Sequence, residues 1–286
     1  MTNLAVFDIG GTAVKCGLWK DNQLSTQSKF STPKTLDDLV EEMKQVINHY
    51  PVDIEGVAIS APGVVNVSTR EIEGISAVRY LHNCPIFDMF EQAFNLPVRI
   101  ENDANCAGIA EMNLGVGKDR KNALFVVLGT GVGGAVFING ALYKGAHLFG
   151  GEFGLMKNHT DKILSETGTI VRVADAYYHQ TGKKVDGQKL FELANKGDEL
   201  VLTLLDTMYE NIAQILYDLQ VAIDPEMIII GGGISERTEV ITELEKRLYH
   251  KLTSVHLPSI MPQITACQFK NDANLIGAAI NYLNTI

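Results

Sequence analysis

The chain has 286 residues, 46% hydrophobic and 20% charged, which is the composition of a water-soluble globular protein with material for two domains or lobes. A formal net charge of −10 with no basic run argues against a nucleic-acid partner, because phosphate backbones are bound by concentrated Lys and Arg. No apolar stretch approaches the ~20 residues of a membrane helix, and the N-terminus runs straight into Leu4-Ala5-Val6-Phe7 without a basic region or cleavage site, so no membrane partner and a cytoplasmic location are expected.

The first third reads as α/β. Strand patterns cover 4–9, 13–19 and 24–30, followed by a helix over 36–50 with Thr35 as N-cap and Pro51 just past its end. Residues 56–60 form a buried-strand pattern stopped by Pro62-Gly63, 87–94 a short helix, and 97–101 another strand. Asn102 or Asp103 then caps a helix over 104–114. After Gly115-Val116-Gly117 the pattern restarts, which places a lobe boundary there. Strands follow at 123–128, 132–138 and 141–143. Apolar spacing at i, i+3 and i+4 predicts helices over 189–196 and 199–223, the second ended by Asp224-Pro225. A buried strand over 227–230 leads into Gly231-Gly232-Gly233, with Ile234 or Ser235 opening the next helix. A helix over 239–252, a strand over 263–267 and a final helix capped by Asn271 or Asp272 complete the chain. The expected division is a smaller N-terminal lobe, 1–114 with 273–286 returning to it, and a larger lobe over 115–272.

Two glycine-rich turns carry one idea twice. Phe7-Asp8-Ile9-Gly10-Gly11-Thr12 and Leu128-Gly129-Thr130-Gly131-Val132-Gly133-Gly134 each join an apolar strand to a second apolar run. Without a Cβ, glycine can take positive φ and let backbone N–H groups approach an anion, so two such turns suit a polyphosphate held from both sides. Gly129-x-Gly131-x-x-Gly134 also fits the dinucleotide fingerprint, but that motif must open a helix. Here it continues as Ala135-Val136-Phe137-Ile138 and the hairpin signal Asn139-Gly140, so it joins strand to strand. The His-Arg-Asp and Asp-Phe-Gly triplets of a protein kinase are missing, as is a Walker loop. Cys16, Cys84, Cys106 and Cys267 are too scattered for a zinc site, and Cys16 and Cys106 read as small core residues.

Six segments in a fixed order carry a family resemblance. They are Phe7-Asp8-Ile9-Gly10-Gly11-Thr12, Ser60-Ala61-Pro62-Gly63, Glu101-Asn102-Asp103-Ala104-Asn105, the turn from Gly129 to Gly134, Gly150-Gly151-Glu152-Phe153-Gly154, and Ile230-Gly231-Gly232-Gly233. Together they resemble the ROK family of bacterial sugar kinases, within the actin–hexokinase ATPase class. The resemblance implies a two-lobed α/β fold of the actin-like (ribonuclease H-like) type with its active site in the interlobe cleft. It also implies ATP- and Mg²⁺-dependent phosphorylation of the 6-hydroxyl of a hexose or hexose derivative; a homodimer is expected.

Residue by residue, the resemblance makes Asp103 the catalytic base and gives sugar contacts to Gly63, Asn102, Asp103 and Glu152. It gives ATP contacts to Gly10, Gly11, Thr12 and Lys15, to Gly129, Thr130, Gly131 and Gly133, and to Gly231, Gly232 and Gly233. Asp8 would hold Mg²⁺ through water, since an acid ahead of a phosphate turn needs a cation between them. Taken alone, Asp8 is also a strand-end turn residue, Asp103 a helix N-cap, and Lys15 an exposed strand residue. Family members usually continue Glu-x-Gly-His into a zinc-binding cysteine cluster. Here Leu155 takes the histidine's place and 157–168 contains no cysteine, so no zinc is expected; His147 and His159 read as surface residues. A leucine cannot hydrogen-bond the anomeric end of a sugar, which points to the zinc-less branch with β-glucoside and N-acetylmannosamine kinases. Glucokinase and fructokinase activities remain open. A DNA-binding repressor is disfavoured because only three residues precede the first strand, and a non-catalytic sugar sensor because Asp8 and Asp103 are both present.

Overall fold

The computed structural model describes residues 2–158 and 161–285. The chain divides into two compact units, Met1–Lys118 with Gly145–Phe149 and Asn271–Ile286, and Asp119–Lys144 with Gly150–Lys270. The first unit runs on to Lys118, past the expected boundary at Leu114, because Gly115 and Gly117 N–H groups bond back to the Glu111 carbonyl at 3.1 and 3.0 Å. Among the described residues no helix is long and apolar enough to cross a membrane.

In the first unit β1 (Leu4–Ile9), β2 (Ala13–Lys20) and β3 (Gln23–Ser31) form an antiparallel meander. Helix α1 (Leu36–His49) follows, capped by Thr35, whose Oγ1 accepts from Asp38 N at 3.2 Å. Strand β4 (Gly56–Ala61) pairs parallel with β1. A small hairpin of β5 (Val64–Asn66) and β6 (Glu71–Glu73) comes next, an element that two three-residue runs do not announce in sequence. Helix α2 (Ile86–Phe94) leads to β7 (Val98–Asn102), parallel to β4, and then to α3 (Asp103–Asn113).

In the second unit β8 (Ala123–Leu128), β9 (Val132–Ile138) and β10 (Ala141–Leu142) repeat the antiparallel meander. Four helices follow: α4 (Leu164–Thr167), α5 (Ile170–Thr181), α6 (Gly187–Asn195) and the long α7 (Glu199–Ile223). Neither α4 nor α5 was expected from the sequence, since the apolar spacing of α5 buries only Val173 and Tyr177. Strand β11 (Met227–Gly231) pairs parallel with β8. Helix α8 (Thr238–Ser254) starts later than the glycines suggest, because Gly233–Glu236 forms a 3₁₀ turn first. Strand β12 (Gln263–Ala266) completes the sheet, and α9 (Ala273–Asn284) returns to the first unit, packing on α3 and on β1 and β4. Asp272 stands at the N-cap position of α9, but its side chain makes no cap bond; its Oδ2 accepts from Gln27 Nε2 at 3.4 Å instead.

The two sheets have one topology. Their strand orders, β3-β2-β1-β4-β7 and β10-β9-β8-β11-β12, coincide position by position, with the same two antiparallel and two parallel pairings. The duplication suggested by the glycine turns therefore extends to five strands. Each unit has its own apolar core, around Phe7, Phe87 and Ile100 in the first and around Leu128, Ile212 and Ile230 in the second. Met208 and Tyr209 lie in the second core, as a packing reading of α7 requires.

Candidate active site

The parallel strands of the first unit end in the same direction, and their register lines up the candidate residues. Asp8 of β1 pairs with Ser60 of β4, Ser60 with Glu101 of β7, and Ala61 with Asn102. Neighbouring strands lie about 4.8 Å apart, so Asp8 and the Asn102–Asp103 corner are two strand spacings from each other. The C-terminal ends of parallel strands are where open α/β sheets bind ligands.

Asp8 is buried, with 8% of its surface exposed, and three side chains contact its carboxyl group. Ser60 Oγ donates to Oδ1 at 2.8 Å, Asn274 Nδ2 donates to Oδ1 at 2.9 Å, and Lys15 Nζ lies 3.5 Å from Oδ2. Asn274 was not singled out from the sequence, and Ser60 stood there only as the start of a family segment, with no role of its own. Asn274 comes from α9, and a contact over so long a stretch of chain leaves no local signal. Lys15 also donates to the Asn271 carbonyl at 3.2 Å, so its charge is engaged with Asp8 and the start of α9. The three donors leave lone pairs on Oδ2, which suits a hydrated Mg²⁺ carried on phosphates and held by a single carboxylate.

Asn102 is the N-cap of α3, its Oδ1 accepting from Asn105 N at 3.1 Å, while its Nδ2 donates to the Gly63 carbonyl at 3.0 Å. The cap thus belongs to Asn102 and not to Asp103. Asp103 is the first helical residue, half-buried, with Oδ1 accepting from Ala104 N at 2.8 Å. Glu101, 4% exposed, braces the corner from behind by accepting from Asn102 N at 2.8 Å and Asn105 Nδ2 at 3.0 Å. Gly63, at φ +109, packs against His82 and Ile72.

In the second unit β8 and β11 are adjacent and parallel, so the Gly129–Gly131 turn and the Gly231–Gly233 turn leave the sheet side by side. None of Gly10, Gly11, Gly129, Gly131 or Gly133 has positive φ, which corrects the expectation that left-handed backbone shapes the two turns. What the second turn gains is access: a Cβ on Gly129 would meet nothing closer than 3.8 Å, and one on Gly233 would meet nothing within 4 Å. Gly232 is different, with φ +88 and its α-carbon against the Leu128 carbonyl, so only glycine fits there. The first turn is closed by Gly10 N donating to the Ala13 carbonyl at 3.1 Å, and Gly11 abuts Ala77 while Thr12 stays exposed. Ser165 of α4 pins the second, accepting from Val132 N at 3.0 Å.

These two glycine turns of the second unit open onto a pocket of about 530 Å³. Gly129, Thr130 and Gly233 line one part, and Ile170, Phe191 and Arg237 another. Glu152 follows Gly151, which sits at φ +98 against the Gly134 carbonyl. Burial pushes the Glu152 carboxyl above its ordinary value, so its charge is held at a cost. Leu155 is 54% exposed and follows one turn later. His159 lies outside the described residues. Among those described, no group of three or more His, Cys, Asp or Glu side chains is gathered around a common point.

The model of the ROK family matches residues 4–284, and the chain belongs to that family. It is 37% identical to a β-glucoside kinase of Listeria innocua, over 98% of this chain and 97% of that one. It is 27% identical to an N-acetylmannosamine kinase of Haemophilus influenzae, over 95% and 92%. A crystal structure of a ROK family protein from Streptococcus pneumoniae in complex with sucrose superposes with a TM-score of 0.92 at 34% identity, covering 99% of both chains.

Proposed function

We propose that the protein is an ATP- and Mg²⁺-dependent kinase for the 6-hydroxyl of a hexose derivative, with a β-glucoside as its substrate. The observation that carries the reading is the corner at the end of β7. There Asn102 takes the helix cap, and Asp103 is left half-buried at the first turn of α3, beside strand ends that also carry Asp8. A sugar hydroxyl is a poor nucleophile, and phosphoryl transfer needs it oriented in line while an acceptor takes its proton. Asp103 Oδ2 is the acceptor in this proposal. Asn102 retains one amide N–H and one lone pair for sugar hydroxyls, and Glu152 accepts from others. Backbone N–H groups of Gly10 to Thr12 and Gly129 to Gly131 serve the phosphates, with Gly231 to Gly233 beside the nucleoside. Mg²⁺, held through water by Asp8, would neutralise charge on the phosphates during transfer.

The β-glucoside assignment is supported by Leu155, which offers the anomeric end an exposed apolar side chain where a histidine would offer a hydrogen bond. The higher identity to a β-glucoside kinase than to an N-acetylmannosamine kinase favours the same choice. The similar Streptococcus protein was crystallised with sucrose, whose anomeric carbons are both substituted. The glucose of sucrose is α-linked, so that complex supports a site open to a glycoside and says nothing of the β configuration. A homodimer in solution is part of this reading.

The test is ADP release measured across cellobiose, an aryl β-glucoside, N-acetylmannosamine, glucose and fructose. Expected is the highest kcat/KM with a β-glucoside. A strong preference for unsubstituted glucose would overturn the assignment, and a preference for N-acetylmannosamine would redirect it.

A further inference from the structure

We propose that the guanidinium of Arg237 is the platform on which the nucleotide base stacks, in the pocket beside the Gly129–Gly131 turn. The inference rests on the phosphotransferase reading and assigns the part of the pocket that phosphate recognition does not explain. Gly129 and Gly233 have open space where a Cβ would stand, and with Thr130 they line the part of the pocket that suits phosphates. A pocket of about 530 Å³ is larger than those oxygens need, and Ile170, Phe191 and Ile234 in its lining have no polar atom for them. Apolar walls of that kind suit a flat, weakly hydrated ring.

Arg237 gives the ring a surface. Its guanidinium carbon lies over the Phe191 ring, 4.2 Å from the centroid, so the aromatic ring covers the group on that side. Nη1 donates to Glu239 Oε1 at 3.1 Å, a second point of contact for the group. The side chain keeps 31% of its surface exposed and lines the pocket together with Phe191. A guanidinium held in this way meets a base with its uncovered face, and stacking of this kind does not depend on which edge groups the base carries. Glu239 also meets part of the positive charge, so the plane of Arg237 is the feature the pocket uses more than its charge.

That distinction makes the proposal testable. Calorimetric titration of wild type, Arg237→Ala and Arg237→Lys with ADP and with inorganic tripolyphosphate separates base from phosphate recognition. Arg237→Ala should weaken ADP about 10-fold, the scale of one stacked base, and change tripolyphosphate affinity no more than about twofold. Arg237→Lys keeps the charge but loses the plane, so it should not restore ADP binding. In turnover, Arg237→Ala should raise KM for ATP by a factor similar to its loss of ADP affinity. Phe191→Leu, which removes the backing of the guanidinium while keeping the core filled, should weaken ADP in the same direction. Equal losses for ADP and tripolyphosphate, with rescue by lysine, would show a phosphate contact and overturn the proposal. Unchanged ADP affinity in Arg237→Ala would overturn it as well, while the kinase reading stands. A wild-type protein that binds neither ligand would remove both.

Discussion

At the scale of single residues, Asp103 and Glu152 are both carboxylates assigned to a sugar, yet their surroundings differ. Asp103 stands in the first turn of α3, where the helix dipole favours its charge and Ala104 N donates to it. In the proposed reaction it accepts the proton only as the hydroxyl becomes acidic. Asp103→Asn keeps the shape and the hydrogen bond from Ala104 but removes the acceptor. It should lower kcat by at least ~10²-fold with ADP affinity retained; near-normal turnover would reject Asp103 as the base. Glu152 is pushed the other way by burial. Its folded-state pKa lies above the unfolded value, so its favourable contribution to folding is complete below the unfolded value and lost as pH rises through the folded one. Above the folded value the ionised side chain is therefore a cost to stability. Glu152→Gln should raise the Tm at pH 7, with the gain shrinking toward pH 4, and lower kcat/KM for the sugar. A Tm difference that does not vary with pH would show that the charge is not the cause.

Among the elements, α3 and α9 form the tightest junction, and it stands behind both Asp103 and Asn274. Gly277 of α9 lies so close to the Cys106 carbonyl of α3 that a methyl group would have no room. Gly277→Ala should destabilise the protein by about 1–3 kcal/mol through overpacking, read from denaturant melts. It should also slow turnover, because the helices carrying Asp103 and Asn274 must move apart. Little of this junction was legible in the sequence. The long helix α7 was legible to its end residues, since its apolar spacing is regular and Asp224-Pro225 stops it. The strand ends bearing Asp8, Asn102 and the glycine turns were legible for a similar reason: chemistry and punctuation fall within a few consecutive residues. Helix α5 was missed although Thr169 and Gly182 mark its ends, because β-branched and aromatic residues such as Val171, Tyr177 and Tyr178 dilute its helical pattern. Ser60, Asn274 and Arg237 act through partners distant in sequence, and no local pattern announces such pairs.

Across the whole molecule, the same five-stranded sheet occurs twice, but only the first depends on the end of the chain to complete it. Leu275, Ile276, Ile280 and Tyr282 of α9 are buried, and the helix packs on α3, β1 and β4 of the first unit. At about 1.5–3 kcal/mol for each large side chain, those residues contribute roughly 6–12 kcal/mol. That is as large as the net stability of a typical domain, about 5–15 kcal/mol. The apolar cluster on one face of β8 and β11 contains Val126, Ile228 and Ile230 and, among the described residues, none of α9. Ending the chain after Lys270 should therefore unfold one sheet and spare the other. Hydrogen exchange can follow this strand by strand. Amides of β1 and β4 should lose protection in the truncated protein, whereas those of β8 and β11 should keep most of theirs. The pocket beside Gly129 is lined by second-unit residues alone, so the shortened chain should still bind ADP while losing all sugar phosphorylation. Loss of protection in both sheets together would show that the second unit cannot stand without the first, and that the repeated topology does not mean independent folding.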